Sequence, residues 1–223
     1  PDAIFVDADH ESYALFSSRM NNIIERYTNL VERYSVDESF AELTGLRGPL
    51  HKTYEAIGLE IKETLKRELG MTFSIGIAPT KSLAKLASKH KKPDGLTMIP
   101  GRAIREFLAQ TPIERVWGIG GKTSAYLRQF GIATVLDFTE RSEHWVNSTL
   151  AKPYQDIWHE LRGTPTLTLS TGAREPQQSL MRTRTFSPQH HAAISSPNFH
   201  DIPKWCVRVR VNMGYRARSS HSF

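Results

Sequence analysis

Ser35-Val36-Asp37-Glu38 sets two carboxylates side by side in a segment of extended character. Neighbouring side chains on a regular strand point to opposite faces, so these two acids share a divalent ion only at a hairpin tip or a bulge. Carboxylate oxygens suit Mg²⁺, which takes one or two of them and fills its octahedron with water and substrate phosphate. Two exposed acids at a strand end are the competing reading of an isolated Asp-Glu pair.

A second string, Ser74-Ile75-Gly76-Ile77-Ala78-Pro79-Thr80-Lys81-Ser82-Leu83-Ala84-Lys85-Leu86-Ala87-Ser88, leads on to Lys92-Pro93-Asp94-Gly95. It reads as a strand entering a basic helix that ends in a lysine turn. A lysine at the junction of a helix and the next strand is placed to reach a triphosphate held over a sheet by metal ions. Lys-Pro-Asp-Gly alone is only a good turn; the whole string is specific because small residues, a cap and basic positions fall in one order. The third string is Ile113-Glu114-Arg115-Val116-Trp117-Gly118-Ile119-Gly120-Gly121-Lys122. An apolar-Gly-apolar-Gly hairpin between helices exposes backbone N–H groups at a helix N-terminus and grips phosphate without reading bases. This is the helix-hairpin-helix signature, with a plain turn between helices as the competing reading.

The elements that must position these groups follow from periodicity. Tyr13, Phe16, Met20, Ile23, Ile24, Tyr27 and Val31 recur at three- and four-residue steps and predict a helix over 10–30 that Asp9 caps. Residues 34–43 read as extended, with Thr44-Gly45 as punctuation and Arg47-Gly48-Pro49 as a loop. A second helix is predicted over 54–69, with Ile57, Ile61 and Leu65 on one face and Gly70 as its stop. Strands are predicted at 71–78 and 96–99, either side of a helix that Thr80 caps and Pro93-Asp94-Gly95 ends. The expected class is α+β: a sheet with helices on one face over 1–108, then an all-α unit over 109–171. Residues 172–178 read as a polar linker, and 179–223 as the start of another domain with a Ser-, His-, Pro- and Arg-rich tail.

Charge is unevenly spread. The 223 residues carry 29 Lys and Arg against 23 Asp and Glu, a formal net charge of +6. Residues 1–40 hold Asp2, Asp7, Asp9, Glu11, Glu25, Glu32, Asp37 and Glu38 against Arg19, Arg26 and Arg33, whereas residues 81–92 hold Lys81, Lys85, Lys89, Lys91 and Lys92 and no acid. Acid first and base later suits a cation site beside a phosphate-gathering surface, and equally suits ordinary solvated faces. A single cysteine, Cys206, excludes a disulfide scaffold and a cysteine zinc site, and no apolar run reaches the roughly 20 residues of a spanning helix. The expectation is a cytoplasmic protein with no membrane partner.

In this order, Tyr34-Ser35-Val36-Asp37-Glu38, the 74–95 string and the glycine hairpin resemble the UmuC/DinB-type Y-family translesion DNA polymerases over roughly residues 1–188. The resemblance implies a palm with a ferredoxin-like sheet, a small helical thumb, and the start of a tethered little finger. It implies Mg²⁺ at the palm, with primer-template DNA and a deoxynucleoside triphosphate as partners and a sliding clamp as a further one. By it, Asp37 and Glu38 are the metal-binding, catalytic carboxylates and Lys92 contacts the triphosphate. Lys81 and Lys85 then lie on a DNA-facing helix, while Gly118, Ile119, Gly120 and Lys122 hold a DNA backbone. Arg182 and Arg184 begin the little-finger strand that tracks the duplex.

The family's third carboxylate stands on a first palm strand, followed by aromatics that screen the sugar and then by the fingers. Ala3-Ile4-Phe5-Val6-Asp7-Ala8-Asp9 lacks the aromatic pair, and no fingers segment fits between Asp9 and Ser35. The expectation is an N-terminally truncated copy, divergent after Ser187-Pro188, with Asp7 or Asp9 as a substitute ligand the lesser alternative. Such a chain is expected to bind DNA through phosphates without extending a primer alone. An unrelated helix-hairpin-helix nuclease or glycosylase is a third reading, which leaves the 74–95 string unexplained.

Overall fold

The computed structural model describes residues 7–171; Arg182, Arg184 and the expected linker and little-finger start lie outside the described residues. Helix α1 (His10–Ile24) starts at Asp9, whose carboxylate accepts the Ser12 N–H at 3.0 Å. It ends earlier than the periodicity predicts. Tyr27 meets the Thr64 hydroxyl at 2.9 Å from the turn beyond, and the buried Val31 opens a strand, so an apolar series reaching inward from three kinds of backbone reads as one helix.

Strands β1 (Val31–Arg33) and β2 (Ser39–Ala41) form an antiparallel hairpin in which Glu32 faces Phe40 and Arg33 faces Ser39. The region read as a loop contains the single turn α2 (Arg47–Leu50). Helix α3 (Tyr54–Leu69) has the predicted bounds, with Thr53 accepting from Ala56 N–H and Gly70 closing it at φ 69°. Its four-residue spacing of Ile57, Ile61 and Leu65 packs on Met20 and Ile23 of α1.

Strand β3 (Ile75–Ile77), helix α4 (Lys81–His90) and strand β4 (Leu96–Met98) make a parallel unit, β3 pairing with β4 from Ile75↔Leu96 to Ile77↔Met98. Among the described residues the strands gather as two two-stranded sheets. Gly76 lets α4 lie directly on β3: a Cβ there would stand 2.0 Å from the Ala84 carbonyl oxygen and 2.3 Å from Ser88 N.

The second half is helical: α5 (Ile104–Ala109), α6 (Gly121–Gln129), α7 (Val135–Thr139), α8 (Glu143–Thr149) and α9 (Lys152–Leu161). Their core of Leu108, Ile113, Leu127, Ile132, Val135, Phe138, Val146, Trp158 and Leu161 also takes in Leu83 and Leu86 of α4. Leu83 and Leu86 lie on the side of α4 that leaves Lys81 and Lys85 for the hairpin. One helix is thereby packed between the helical half and the acids.

Candidate functional site

Strand alternation fixes which hairpin residues meet α4. Glu32, Tyr34, Glu38 and Phe40 belong to one parity across the Glu32↔Phe40 pair, and it is these that contact the lysines. Glu32 Oε2 lies 2.7 Å from Lys81 Nζ, and Glu38 Oε2 lies 2.7 Å from Lys85 Nζ. Lys81 and Lys85 are one helical turn apart, which matches two acids that flank the hairpin loop. The Lys81 ammonium also sits 4.9 Å from the Phe40 ring centre, and that of Lys85 sits 4.6 Å from the ring centres of both Tyr34 and Trp117. Trp117 comes from the glycine hairpin of the helical half and meets Tyr34 edge-on at 5.2 Å. Acidic hairpin and basic helix therefore neutralise one another, and both expected DNA-facing lysines are in ion pairs.

Asp37, the other half of the acid pair, is exposed, and its Oδ1 accepts the Ser35 hydroxyl at 2.8 Å. Ser35 and Lys85 each engage one oxygen of their acid, so Asp37 Oδ2 and Glu38 Oε1 carry no hydrogen bond among the described residues. Hard oxygen donors of this kind fit Mg²⁺ at the lower end of its protein-ligand count. Among the described residues no group of three or more His, Cys, Asp or Glu side chains gathers here or elsewhere.

Lys92 follows the end of α4, is exposed, and has no ion-pair partner among the described residues. No hydrogen bond or ion pair joins it to Asp37 or Glu38. The lysine that touches Glu38 is Lys85, seven residues earlier and within α4, whereas Lys92 lies beyond the helix end at His90. The turn that carries Lys92 is fastened elsewhere: the Asp94 carboxylate lies 2.9 Å from Lys62 Nζ and 3.3 Å from Lys66 Nζ of α3. The Lys62 ammonium, helped by Lys66, holds the Asp94 carboxyl below its ordinary range.

At the glycine hairpin, Gly118 has φ 86° and Ile119 is buried, its N–H donating to the Val116 carbonyl at 3.1 Å. Ile119 is an anchor that leaves the next backbone groups outside. Gly120 is the N-cap of α6 and supplies no side-chain cap; with Gly121 and the exposed Lys122 it presents first-turn N–H groups that the helix itself does not satisfy.

Sequence reasoning missed Glu160. It is wholly buried on α9 and accepts N–H donors from Ser82 at 3.0 Å, Thr166 at 2.7 Å and Leu167 at 2.9 Å. The N-terminus of α4 is thus filled by a carboxylate from within the chain. The segment it captures continues to Ser170, whose N–H donates to Glu32 at 2.9 Å. A glutamate on the otherwise apolar side of α9, next to Ile157, Trp158 and Leu161, was the signal available in the sequence.

The impB/mucB/samB family model matches residues 1–89, and the IMS family HHH motif matches 102–132. DNA polymerase IV of Methanoculleus marisnigri is 33% identical over 234 residues, an alignment that takes in 100% of this chain, beyond residue 188, and 64% of that protein. DNA polymerase IV of Bacillus velezensis is 38% identical over 150 residues, 67% of this chain and 36% of that protein. The chain thus spans less than two thirds of the length of these relatives. Among solved structures, DinB from Sulfolobus solfataricus superposes with a TM-score of 0.63 at 24% identity, covering 71% of this chain and 47% of that one. A post-insertion binary complex of Dbh DNA polymerase gives 0.66 at 23%, covering 74% and 49%. The α+β hairpin-and-helix unit, followed by a helix-hairpin-helix unit, is the fold these neighbours share. With motifs, fold and relatives in agreement, the chain belongs to the impB/mucB/samB family, the Y-family (UmuC/DinB-type) translesion DNA polymerases.

Proposed function

We propose that this chain supplies palm and thumb to template-directed nucleotidyl transfer past damaged DNA bases, in the cytoplasm, with primer-template DNA and a deoxynucleoside triphosphate as partners and a sliding clamp as an accessory. The palm is residues 1–108 and the thumb 109–171, with a linker over 172–178 and the little finger beginning in 179–223. The observation that carries the reading is the docking of the Asp37-Glu38 hairpin on α4, the helix that ends at the Lys92 turn. Acids and triphosphate-binding lysine are thereby referred to one rigid element.

Asp37 and Glu38 are the residues that would hold Mg²⁺, which when bound lowers the pKa of a primer hydroxyl and neutralises phosphate charge. Ser35 and Lys85 orient the two carboxylates. Lys92 pairs with the triphosphate, for which its exposed ammonium is suited. Gly120, Gly121 and Lys122 bind the duplex through phosphates, while Arg182 and Arg184 extend that track along the little finger. This mode carries little sequence preference and falls steeply with salt.

A non-catalytic DNA-binding role is the second reading. It is favoured by the absence, among the described residues, of a third carboxylate beside Asp37 and Glu38. Primer extension with undamaged and lesion-bearing templates separates the two. Mg²⁺-dependent extension lost in Asp37→Ala supports the polymerase; salt-sensitive DNA binding without extension supports the binding role.

A further inference from the structure

Lys62 is a buried lysine on α3, its side chain 10% exposed, and its ammonium lies 2.9 Å from Asp94 Oδ1. Lys66, one helical turn on, reaches the other oxygen of the same carboxylate. Asp94 stands in the left-handed region at φ 55°, and the next residue, Gly95, has no room for a side chain, since a Cβ would be 2.0 Å from the Lys91 carbonyl oxygen. On the far side of the turn, Gly95 N–H donates to the Ser74 hydroxyl at 3.3 Å, and Ile75 N–H donates to the Gly95 carbonyl at 2.8 Å.

Stability alone does not call for this pair. Withdrawing an ammonium from water is costly, and well-packed apolar residues of similar volume often replace a buried ion pair without loss. What the pair adds is direction: it ties the turn carrying Lys92 to the middle of α3, while β3 holds the turn from the other side. We propose that Lys62, through Asp94, is the positioning residue that fixes the Lys92 ammonium for the triphosphate of an incoming nucleotide. This rests on the reading of Lys92 given above. Lys62 does not touch the nucleotide and acts only through the turn.

The test uses the full chain with a fluorescent deoxynucleoside triphosphate analogue, alongside amide hydrogen exchange over residues 91–96. Lys62→Met is expected to speed exchange in that turn and weaken nucleotide binding about tenfold, the scale of a reacting group displaced by a fraction of an ångström. Lys62→Arg is expected to restore both. In primer extension the loss falls on KM, with kcat within about twofold. Unchanged exchange in Lys62→Met overturns the inference whatever the nucleotide does. Faster exchange with undiminished affinity, where Lys92→Ala does lose affinity, overturns the positioning role and spares the reading of Lys92. Undiminished affinity in Lys92→Ala itself overturns that reading, and the inference falls with it.

Discussion

Glu38 Oε2 lies 2.7 Å from Lys85 Nζ, and the two side chains differ in exposure, 38% for the glutamate and 10% for the lysine. The acid of the hairpin is therefore the wetter member of a pair whose cation is enclosed by Tyr34 and Trp117. Removing the buried charge leaves an acid that water can reach, at about 1 kcal/mol. Removing the acid strands the ammonium, only partly compensated by the aromatic faces, at about 2 kcal/mol or more. Urea unfolding of Glu38→Gln and Lys85→Met is expected to show the glutamine variant as the less stable. The reverse order contradicts the assigned enclosure.

Gly76 sets the distance between β3 and α4. Gly76→Ala puts a methyl group 2.0 Å from the Ala84 carbonyl oxygen, an atom of helix backbone that has no rotamer to relax into. A loss of about 3 kcal/mol is expected, at the upper end for overpacking. Gly48→Ala meets open space and serves as the control. Equal midpoints for the two variants in denaturant would contradict direct helix-on-strand contact.

Glu160 satisfies three backbone donors with two oxygens and has no ion-pair partner among the described residues. Glu160→Gln keeps the shape but turns one oxygen into an NH₂ facing an N–H donor, so one side of the clasp is broken. The expected cost is about 2–4 kcal/mol, as for a buried hydrogen bond to a charged group left unmade. Because Thr166 and Leu167 are held by the same carboxylate, proteolysis after Arg162 is expected to accelerate in this variant. An unchanged cleavage rate argues against the clasp.

Asp137 stands at the third position of α7, where its carboxylate accepts N–H groups from Thr134 at 2.7 Å and Ala133 at 3.0 Å. The Thr134 backbone bond, with the Thr134 hydroxyl and Ala133 adding to it, holds this carboxyl below its ordinary range. A folded-state pKa below the unfolded one adds stability that is complete above the unfolded value, near 4, and is lost as pH falls through the folded value. Asp137→Asn is expected to cost about 1 kcal/mol at neutral pH, the worth of a helix cap. The gap from the parent protein closes as the solution is acidified below pH 4. A gap constant with pH shows that the charge contributes nothing.

Helices with a cap, a stripe and a stop were legible in the sequence. Thr53, the Ile57-Ile61-Leu65 series and Gly70 define α3 to the residue, and Thr80 opens α4 as expected. The hairpin was not: residues 34–43 read as one extended segment, whereas Asp37 and Glu38 stand in the loop between β1 and β2. What periodicity does not carry is a partner far along the chain: Glu38 finds Lys85 47 residues on, and Thr80 finds the Glu160 carbonyl 80 residues on. A stripe of lysines reads as a solvated or DNA-facing surface until the acids that cover it are placed. Nothing in the sequence around Lys62 marks it as buried, and its partner Asp94 lies 32 residues further on.

Two glycines two residues apart separate fold from ligand at the helix-hairpin-helix. Gly118 needs its identity for the backbone, since at φ 86° any L side chain is strained. Gly120 does not: its φ is −87°, and an added Cβ meets nothing within 4 Å. Glycine is an acceptable N-cap in itself, with Ser or Thr better by only about a few tenths of a kcal/mol. What the open face at Gly120 adds, on the proposed reading, is room for a phosphate to approach the backbone. Gly120→Val is therefore expected to keep the unfolding free energy within about 1 kcal/mol of the parent while weakening duplex binding severalfold at every sequence tested, as loss of a backbone contact does. Gly118→Val is expected to lose stability first. Undiminished DNA affinity in a folded Gly120→Val protein moves the duplex off this hairpin.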